Sequence, residues 1–146
     1  MSDVTSIRDA VRQLRIELQI VNDKVAVAAG LNPRDLDVLD VIDREGPCTP
    51  SHLALRTGLS RATLTGVLAR LEQQHWVARE RHPDDGRSAQ LRSTDRFDEL
   101  RHLYRPLTDA ADALTRRLPH RDRELLERTL TDLITAVRES HTAERS

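Results

Sequence analysis

Apolar residues recur every three or four positions along most of the chain, which is the spacing of one buried face of an α-helix. The stretch from Pro33 to Glu45 has this spacing and is followed by Gly46-Pro47, so it predicts a helix that ends there. Near the N-terminus the apolar positions continue over about six turns and predict a longer helix: Val4, Ile7, Val11, Leu14, Leu18, Val21 and Val25. A helix of that length needs a partner surface.

Two further long helices are predicted toward the C-terminus, on either side of Pro119. The apolar positions of the first are Leu100, Leu103, Leu107, Ala111, Leu114 and Leu118, and those of the second are Leu125, Leu126, Leu130, Leu133, Ile134 and Val137. Pro106 falls inside the first helix and is expected to bend it or to break one turn. The three terminal helices carry more apolar surface than the rest of the chain can cover, so we expect them to form an interface between two chains. An intramolecular bundle in a monomer is the alternative.

The segment from Thr49 to Arg92, called the reading head below, contains two shorter helices and a hairpin. Gly58 can end the first helix in the left-handed conformation at little steric cost. Ser60 is placed to cap the second, which is predicted to run roughly from Ser60 to Gln74. The buried face of this second helix follows from its i, i+3, i+4 and i+7 spacing: Leu64, Val67, Leu68 and Leu71.

The opposite side of this helix, its outer face, is formed by Ala62, Gly66, Ala69 and Gln73, with Arg61, Thr63, Thr65 and Arg70 on its flanks. A glycine in a helix interior costs about 1 kcal/mol relative to alanine, so Gly66 suggests that the helix backbone comes close to another surface. The major groove of B-DNA admits a helix, and Arg, Thr and Ser suit its base edges and phosphates. The alternative is that Gly66 only accommodates packing and that the arginines are solvated surface charges.

A β-hairpin is predicted after this helix. Its first arm runs from Trp76 to His82, a cluster of turn residues follows up to Arg87, and the segment from Ser88 to Arg92 alternates as a half-buried strand does. The first arm alternates less cleanly, so the register stays open. Arg87 at the tip is a candidate for the minor groove. Asp85 would be repelled by phosphates and is expected to orient Arg87 or to pair with an arginine at the base of the hairpin. A surface hairpin without a partner is the alternative.

These residues resemble the winged helix-turn-helix signature of the MarR family of bacterial transcriptional regulators. The matching segments are Leu59-Ser60-Arg61-Ala62-Thr63-Leu64-Thr65, Arg70-Leu71-Glu72, Trp76-Val77 and Asp84-Asp85-Gly86-Arg87. The most specific part is the Asp-x-Arg of the wing, Asp85 and Arg87, followed seven residues later by Thr94. The family usually has Leu-Thr at that end of the wing, where this chain has Ser93-Thr94.

The resemblance implies a mainly α-helical fold with a small β-hairpin wing and terminal helices that form a dimerisation region. We divide the chain into an N-terminal dimerisation helix (1–30), a winged helix-turn-helix region (31–93) and C-terminal dimerisation helices (94–146), within one structural domain. A homodimeric repressor is expected, bound to an inverted-repeat operator in double-stranded DNA and released by a small-molecule effector. The candidate DNA-binding residues are Arg56, Ser60, Arg61, Ala62, Thr63, Thr65, Gly66, Arg70, Arg81, Arg87 and Ser88, with Asp85 structuring the wing.

Charge is segregated along the chain in a way that agrees with this interpretation. A net charge of −1 would argue against nucleic-acid binding only if it were evenly spread. The reading head has seven basic and four acidic residues, a net charge of +3, whereas Leu31 to Cys48 has two basic and five acidic residues, a net charge of −3.

Other chemistry has weak support. The six histidines form no compact metal-ligand motif, and no phosphate loop, nucleophile elbow or catalytic carboxylate pair stands out, so we expect neither an enzyme nor a cofactor. Cys48 has no activating neighbour and is interpreted as inert. A single cysteine and the lack of a signal or membrane segment predict a cytoplasmic protein. The alternatives are a redox- or metal-responsive regulator of the same fold and a helical protein-interaction module with a basic patch.

Overall fold

The computed structural model describes residues 3–81, 84 and 89–143, with residues 142 and 143 described by their backbone alone. Helices and one antiparallel hairpin make up the described chain, which confirms the predicted fold class. In chain order the elements are α1 (Val4–Ala29), α2 (Pro33–Glu45), α3 (Pro50–Thr57), α4 (Arg61–Gln73), β1 (Val77–Arg81), β2 (Ala89–Ser93), α5 (Phe97–Arg116) and α6 (His120–Ala143).

Side-chain caps fix where the three short helices begin. Asn32, Thr49 and Ser60 each accept a hydrogen bond from the backbone N–H three residues later, which satisfies one of the donors that a helix start leaves unpaired. Gly58 ends α3 with φ of 72°, a conformation that glycine adopts without a steric penalty. The predicted turn and cap of the reading head are therefore confirmed.

The core lies in the first of two compact units, residues 1–104. It is built from the inner faces of α1 to α4, the start of α5 and the base of the hairpin. Its largest fully buried side chains include Trp76, Leu36, Leu39, Ile42, Leu53, Leu71, Leu91 and Leu100. The predicted inner face of α4 is buried as expected. At about 1.5–3 kcal/mol for each large apolar side chain removed from water, this packing holds α4 with its outer face toward solvent.

The hairpin pairs Val77 with Ser93 and Arg81 with Ala89, which settles the register that the sequence left open. Its second strand is also joined to the connection between α2 and α3. The N–H of Cys48 donates to the carbonyl of Leu91 at 2.9 Å, and the N–H of Leu91 donates to the carbonyl of Cys48 at 2.7 Å. The base of the wing is therefore bonded through its backbone to the segment that leads into α3.

The second compact unit comprises residues 105–146. Helix α5 continues through Pro106 and ends at Arg116, so the helix is not divided at the proline. In α6 no side chain between His120 and His141 is buried. None of the helices in the described part of the chain is long and apolar enough to cross a membrane.

Candidate nucleic-acid interface

The outer face of α4 presents almost no side-chain bulk to solvent. Ala62, Ala69 and Gln73 are exposed and Gly66 is partly exposed. A Cβ atom added at Gly66 would meet a single atom within 4 Å, Nη1 of Arg70 at 3.5 Å, which is an ordinary contact. Packing within the described chain therefore does not require glycine at this position, whereas approach to an external surface would benefit from it.

Hydroxyl groups cluster at the start of α4, where the backbone N–H groups point outward. Ser60 accepts from the N–H of Thr63 at 3.2 Å and donates to the Thr63 hydroxyl at 2.9 Å. Thr65 donates to the carbonyl of Arg61 at 2.8 Å. Both hydroxyls that donate still have an acceptor lone pair, and the positive end of the helix dipole lies at the same place, which suits a phosphate.

Most arginines of the reading head are held by acidic side chains. Of the six that the structure describes, four form ion pairs: Arg56 with Glu45, Arg70 with Asp35, Arg79 with Glu72 and Arg92 with Glu80. Two of these acids, Glu45 and Asp35, belong to α2, so the negative segment before the reading head supplies partners for two of its arginines. The sequence showed the segregation of charge but not these pairs.

The pair of Asp35 and Arg70 joins the start of α2 to α4. Nε of Arg70 donates to Oδ2 at 2.8 Å and Nη2 donates to Oδ1 at 2.9 Å, a bidentate geometry that fixes the plane of the guanidinium. Asp35 is the one charged or polar residue that is buried among the described residues, with 3% of its surface exposed. Arg70 itself remains about half exposed, with 48% of its side chain in contact with solvent.

Glu45 joins the end of α2 to α3 through two partners. Nε of Arg56 donates to both carboxylate oxygens at 2.8 and 3.0 Å, and Nε2 of His52 lies 2.8 Å from Oε2. The hydrogen bond from Arg56, aided by His52, lowers the pKa of Glu45 to about 2. Arg56 is therefore occupied in holding the two helices together.

Arg61 and Arg81 differ from these four because neither forms an ion pair with any residue that the structure describes. Both are exposed. Arg61 is the first residue of α4, and Arg81 ends β1 at the side of the hairpin that leads to its tip. No acidic side chain of the described part of the chain neutralises them, so their charge suits contact with a polyanion. The predicted tip residues Asp85, Arg87 and Ser88 lie outside the described residues.

The described residues give little support to a redox-sensing cysteine or a metal site. Cys48 is buried, and desolvation raises the pKa of its thiol, with Glu45 contributing, which disfavours the reactive thiolate. Within the described ranges no three His, Cys, Asp or Glu side chains are grouped to hold a metal ion.

Two helices joined by a glycine turn and followed by a two-stranded wing define the winged helix-turn-helix class of DNA-binding proteins. Residues 29–88 match the model of the MarR family. An uncharacterized HTH-type transcriptional regulator of Bacillus subtilis, YcgE, is 33% identical over 116 residues, which cover 79% of this chain and 75% of that protein. The chain belongs to the MarR family of transcriptional regulators.

Solved structures share the fold over nearly the whole chain. A mutant of MepR from Staphylococcus aureus is 15% identical, with a TM-score of 0.76 over 94% of this chain and 99% of that one. Streptococcus pneumoniae FabT, solved in complex with DNA, is 17% identical, with a TM-score of 0.67 over the same shares of the two chains.

Proposed function

We propose that this regulator is a homodimeric repressor that binds an inverted-repeat operator in double-stranded DNA and thereby blocks access of RNA polymerase to the promoter. The observation that carries the proposal is the outer face of α4, which carries the small residues Ala62, Gly66 and Ala69. The helix begins at Arg61, which forms no ion pair with any described residue. A helix of this kind fits the major groove, where its first residues meet base edges and phosphates. The similarity to FabT, whose structure contains DNA, supports the same use of this fold.

Within the proposed interface the arginines have different tasks. Arg61 and Arg81, which form no ion pair with any described residue, are proposed to contact phosphates. Arg87 at the tip of the wing is proposed for the minor groove, oriented by Asp85, with Ser88 beside it. Arg56 is held by Glu45 and contributes to DNA binding mainly by placing α3. The small residues Ala62 and Gly66 allow close approach, and Ser60, Thr63 and Thr65 supply hydroxyl groups at the start of α4.

Dimerisation is supported by apolar surface that one chain leaves uncovered. Along α1 the exposed apolar residues include Val4, Ile7, Val11, Leu14 and Leu18, and along α6 they include Leu125, Leu126, Leu130, Leu133, Ile134 and Val137. A helix in water gains most of its stability from packing an apolar face, and α6 has no buried side chain from His120 to His141. In a twofold dimer the two α4 helices would enter successive major grooves about 34 Å apart.

Regulation follows from the same arrangement. Affinity for two tethered half-sites depends on the spacing of the two reading heads. A small molecule that favours a different spacing would therefore release the operator. The protein would act by binding alone, without catalysis and without a cofactor, in the cytoplasm where the DNA lies.

The proposal is tested by selecting bound fragments from genomic DNA and measuring affinity for the selected sequence as a function of salt. We expect the logarithm of the binding constant to fall linearly with the logarithm of the salt concentration, with a clear preference over bulk DNA. Arg61→Ala should lower the slope by about 0.9 for each phosphate that the variant no longer neutralises. Arg79→Ala is the matched control, because Arg79 is already paired with Glu72 and its removal should change the slope less.

Two results would contradict the proposal. One is the lack of any preferred fragment at low ionic strength, which would favour a helical module that binds acidic proteins. The other is a monomer by sedimentation equilibrium. Leu130→Asp on the apolar face of α6 should shift the equilibrium toward monomer, whereas Asp132→Asn on the same helix should leave it unchanged.

A further inference from the structure

Two of the three nitrogen atoms of the Arg70 guanidinium are fixed by one buried carboxylate. Nε and Nη2 donate to Asp35 at 2.8 and 2.9 Å. Asp35 lies in the first turn of α2, where its own N–H donates to the capping side chain of Asn32 at 2.8 Å. Because Asp35 is held at its backbone and enclosed by the core, the guanidinium has one orientation on the surface of α4.

The third nitrogen of Arg70, Nη1, is left on the solvent side of this pair. It lies 3.5 Å from the position that a Cβ atom would occupy at Gly66, which places it along the outer face of α4. The side chain of Arg70 makes no hydrogen bond to any described residue other than Asp35. A donor with two N–H bonds and a formal charge is therefore held beside the surface that we propose to enter the major groove.

We infer that Asp35 is a positioning residue for DNA binding, which acts by holding Arg70 so that Nη1 donates to a DNA phosphate. The inference rests on the proposed function. A flexible arginine loses rotamer freedom when it binds a phosphate. Arg70 has already lost that freedom on folding, so its contact with DNA costs less, and the bidentate pair also sets the direction of approach.

The sign of the effect separates this inference from simple electrostatics. Asp35 carries a negative charge on the DNA-binding side of the chain, so charge alone predicts that Asp35→Asn tightens DNA binding. If Asp35 orients Arg70, the same substitution weakens binding, because an amide cannot accept two charge-assisted hydrogen bonds from the guanidinium. We expect binding about five- to tenfold weaker, in the range of other interface contacts.

Glu72→Gln is the matched control for the change of charge. It also removes one negative charge that pairs with an arginine, Arg79, but this pair is exposed. This substitution changes only the net charge, so we expect the variant to bind DNA as tightly as the wild type or slightly more tightly. All variants are compared by fluorescence anisotropy with the selected operator, at a temperature where circular dichroism shows each to be folded.

A double-mutant cycle tests whether Asp35 acts through Arg70. Arg70→Ala should weaken binding and lower the salt slope by about 0.9, and adding Asp35→Asn to it should cause no further loss of affinity. A pair that serves only to join α2 to α4 would leave the slope unchanged. Arg70→Lys keeps the charge but cannot pair bidentately, so it provides a second variant with the same expected loss of affinity if Asp35→Asn does not fold.

The outcomes are distinct. Folded Asp35→Asn protein that binds the operator as tightly as the wild type, or more tightly, overturns the inference and leaves the proposed function intact. An unchanged salt slope for Arg70→Ala does the same. Wild-type protein that prefers no DNA fragment overturns the proposed function, and the inference with it.

Discussion

Replacing Gly66 by alanine should raise the stability of the protein and lower its affinity for DNA. Gly66 is the sixth residue of the 13-residue helix α4, where glycine costs about 1 kcal/mol relative to alanine. The added methyl group would lie 3.5 Å from Nη1 of Arg70, a normal contact, so no clash offsets the gain. We expect stabilisation of about 0.5–1 kcal/mol, or an increase in Tm of about 2–4 °C.

The effect on DNA binding should have the opposite sign. The methyl group is added to the face that approaches the groove, so it increases the distance of closest approach for the whole helix. A tenfold loss of affinity corresponds to about 1.4 kcal/mol, which two or three slightly lengthened hydrogen bonds would account for. A single substitution should thus change stability and DNA affinity in opposite directions.

Both quantities are measurable on the same sample. Urea unfolding followed by the fluorescence of Trp76, the single tryptophan and fully buried, gives the stability at a fixed protein concentration. Anisotropy with labelled operator gives the affinity. Ala69→Gly is the control, since it should destabilise α4 without adding bulk to the outer face. Unchanged DNA affinity for Gly66→Ala would refute close approach at this position, and a loss of stability would refute the statement that the space is open.

Two further predictions concern stability alone. Desolvation raises the pKa of Asp40 to about 6, with Asp37 and Asp43 contributing. The folded state thus binds a proton at this carboxyl more tightly than the unfolded chain does, so the contribution of Asp40 to stability falls as pH rises from about 4 to 6. Asp40→Asn should remove this pH dependence and stabilise the protein at pH 7 by about 1–2 kcal/mol. If the difference between the urea midpoints at pH 5 and pH 7 is the same in the variant as in the wild type, the prediction is wrong. His75 has a φ of 61°, so His75→Gly should raise stability by about 1 kcal/mol by relieving the strain of a left-handed residue with a Cβ atom. His75→Ala keeps the Cβ atom and should not raise stability. Equal urea midpoints for the two variants would contradict backbone strain at this position.

The reading head was predictable because its signals are local. The ends of α4, the left-handed Gly58 and the cap at Ser60 each depend on residues within one or two helical turns. Periodicity and capping chemistry are properties of such short segments. The outer face of α4 follows from the same geometry, since its residues are opposite a buried face that the sequence already marks.

The partners of the arginines were not predictable, because they depend on contacts between distant parts of the chain. Arg70 meets Asp35 across 35 positions, and nothing in the local sequence distinguishes Asp35 from the other acids of α2. The interpretation of Arg56 and Arg70 as surface residues ready to bind DNA overlooked this pairing. The left-handed His75 also had no signal, because the strain at a non-glycine residue is imposed by the turn from α4 into β1.

The link between Cys48 and Leu91 is made entirely by main-chain atoms, so it is independent of which side chains occupy the two positions. Mutation can exchange either residue for another of similar size and leave both hydrogen bonds in place, and among ordinary residues only proline removes a donor. The position of the wing relative to the segment that leads into α3 is therefore set by the backbone at its base, so substitutions farther along the wing can change the surface that it presents without moving the wing.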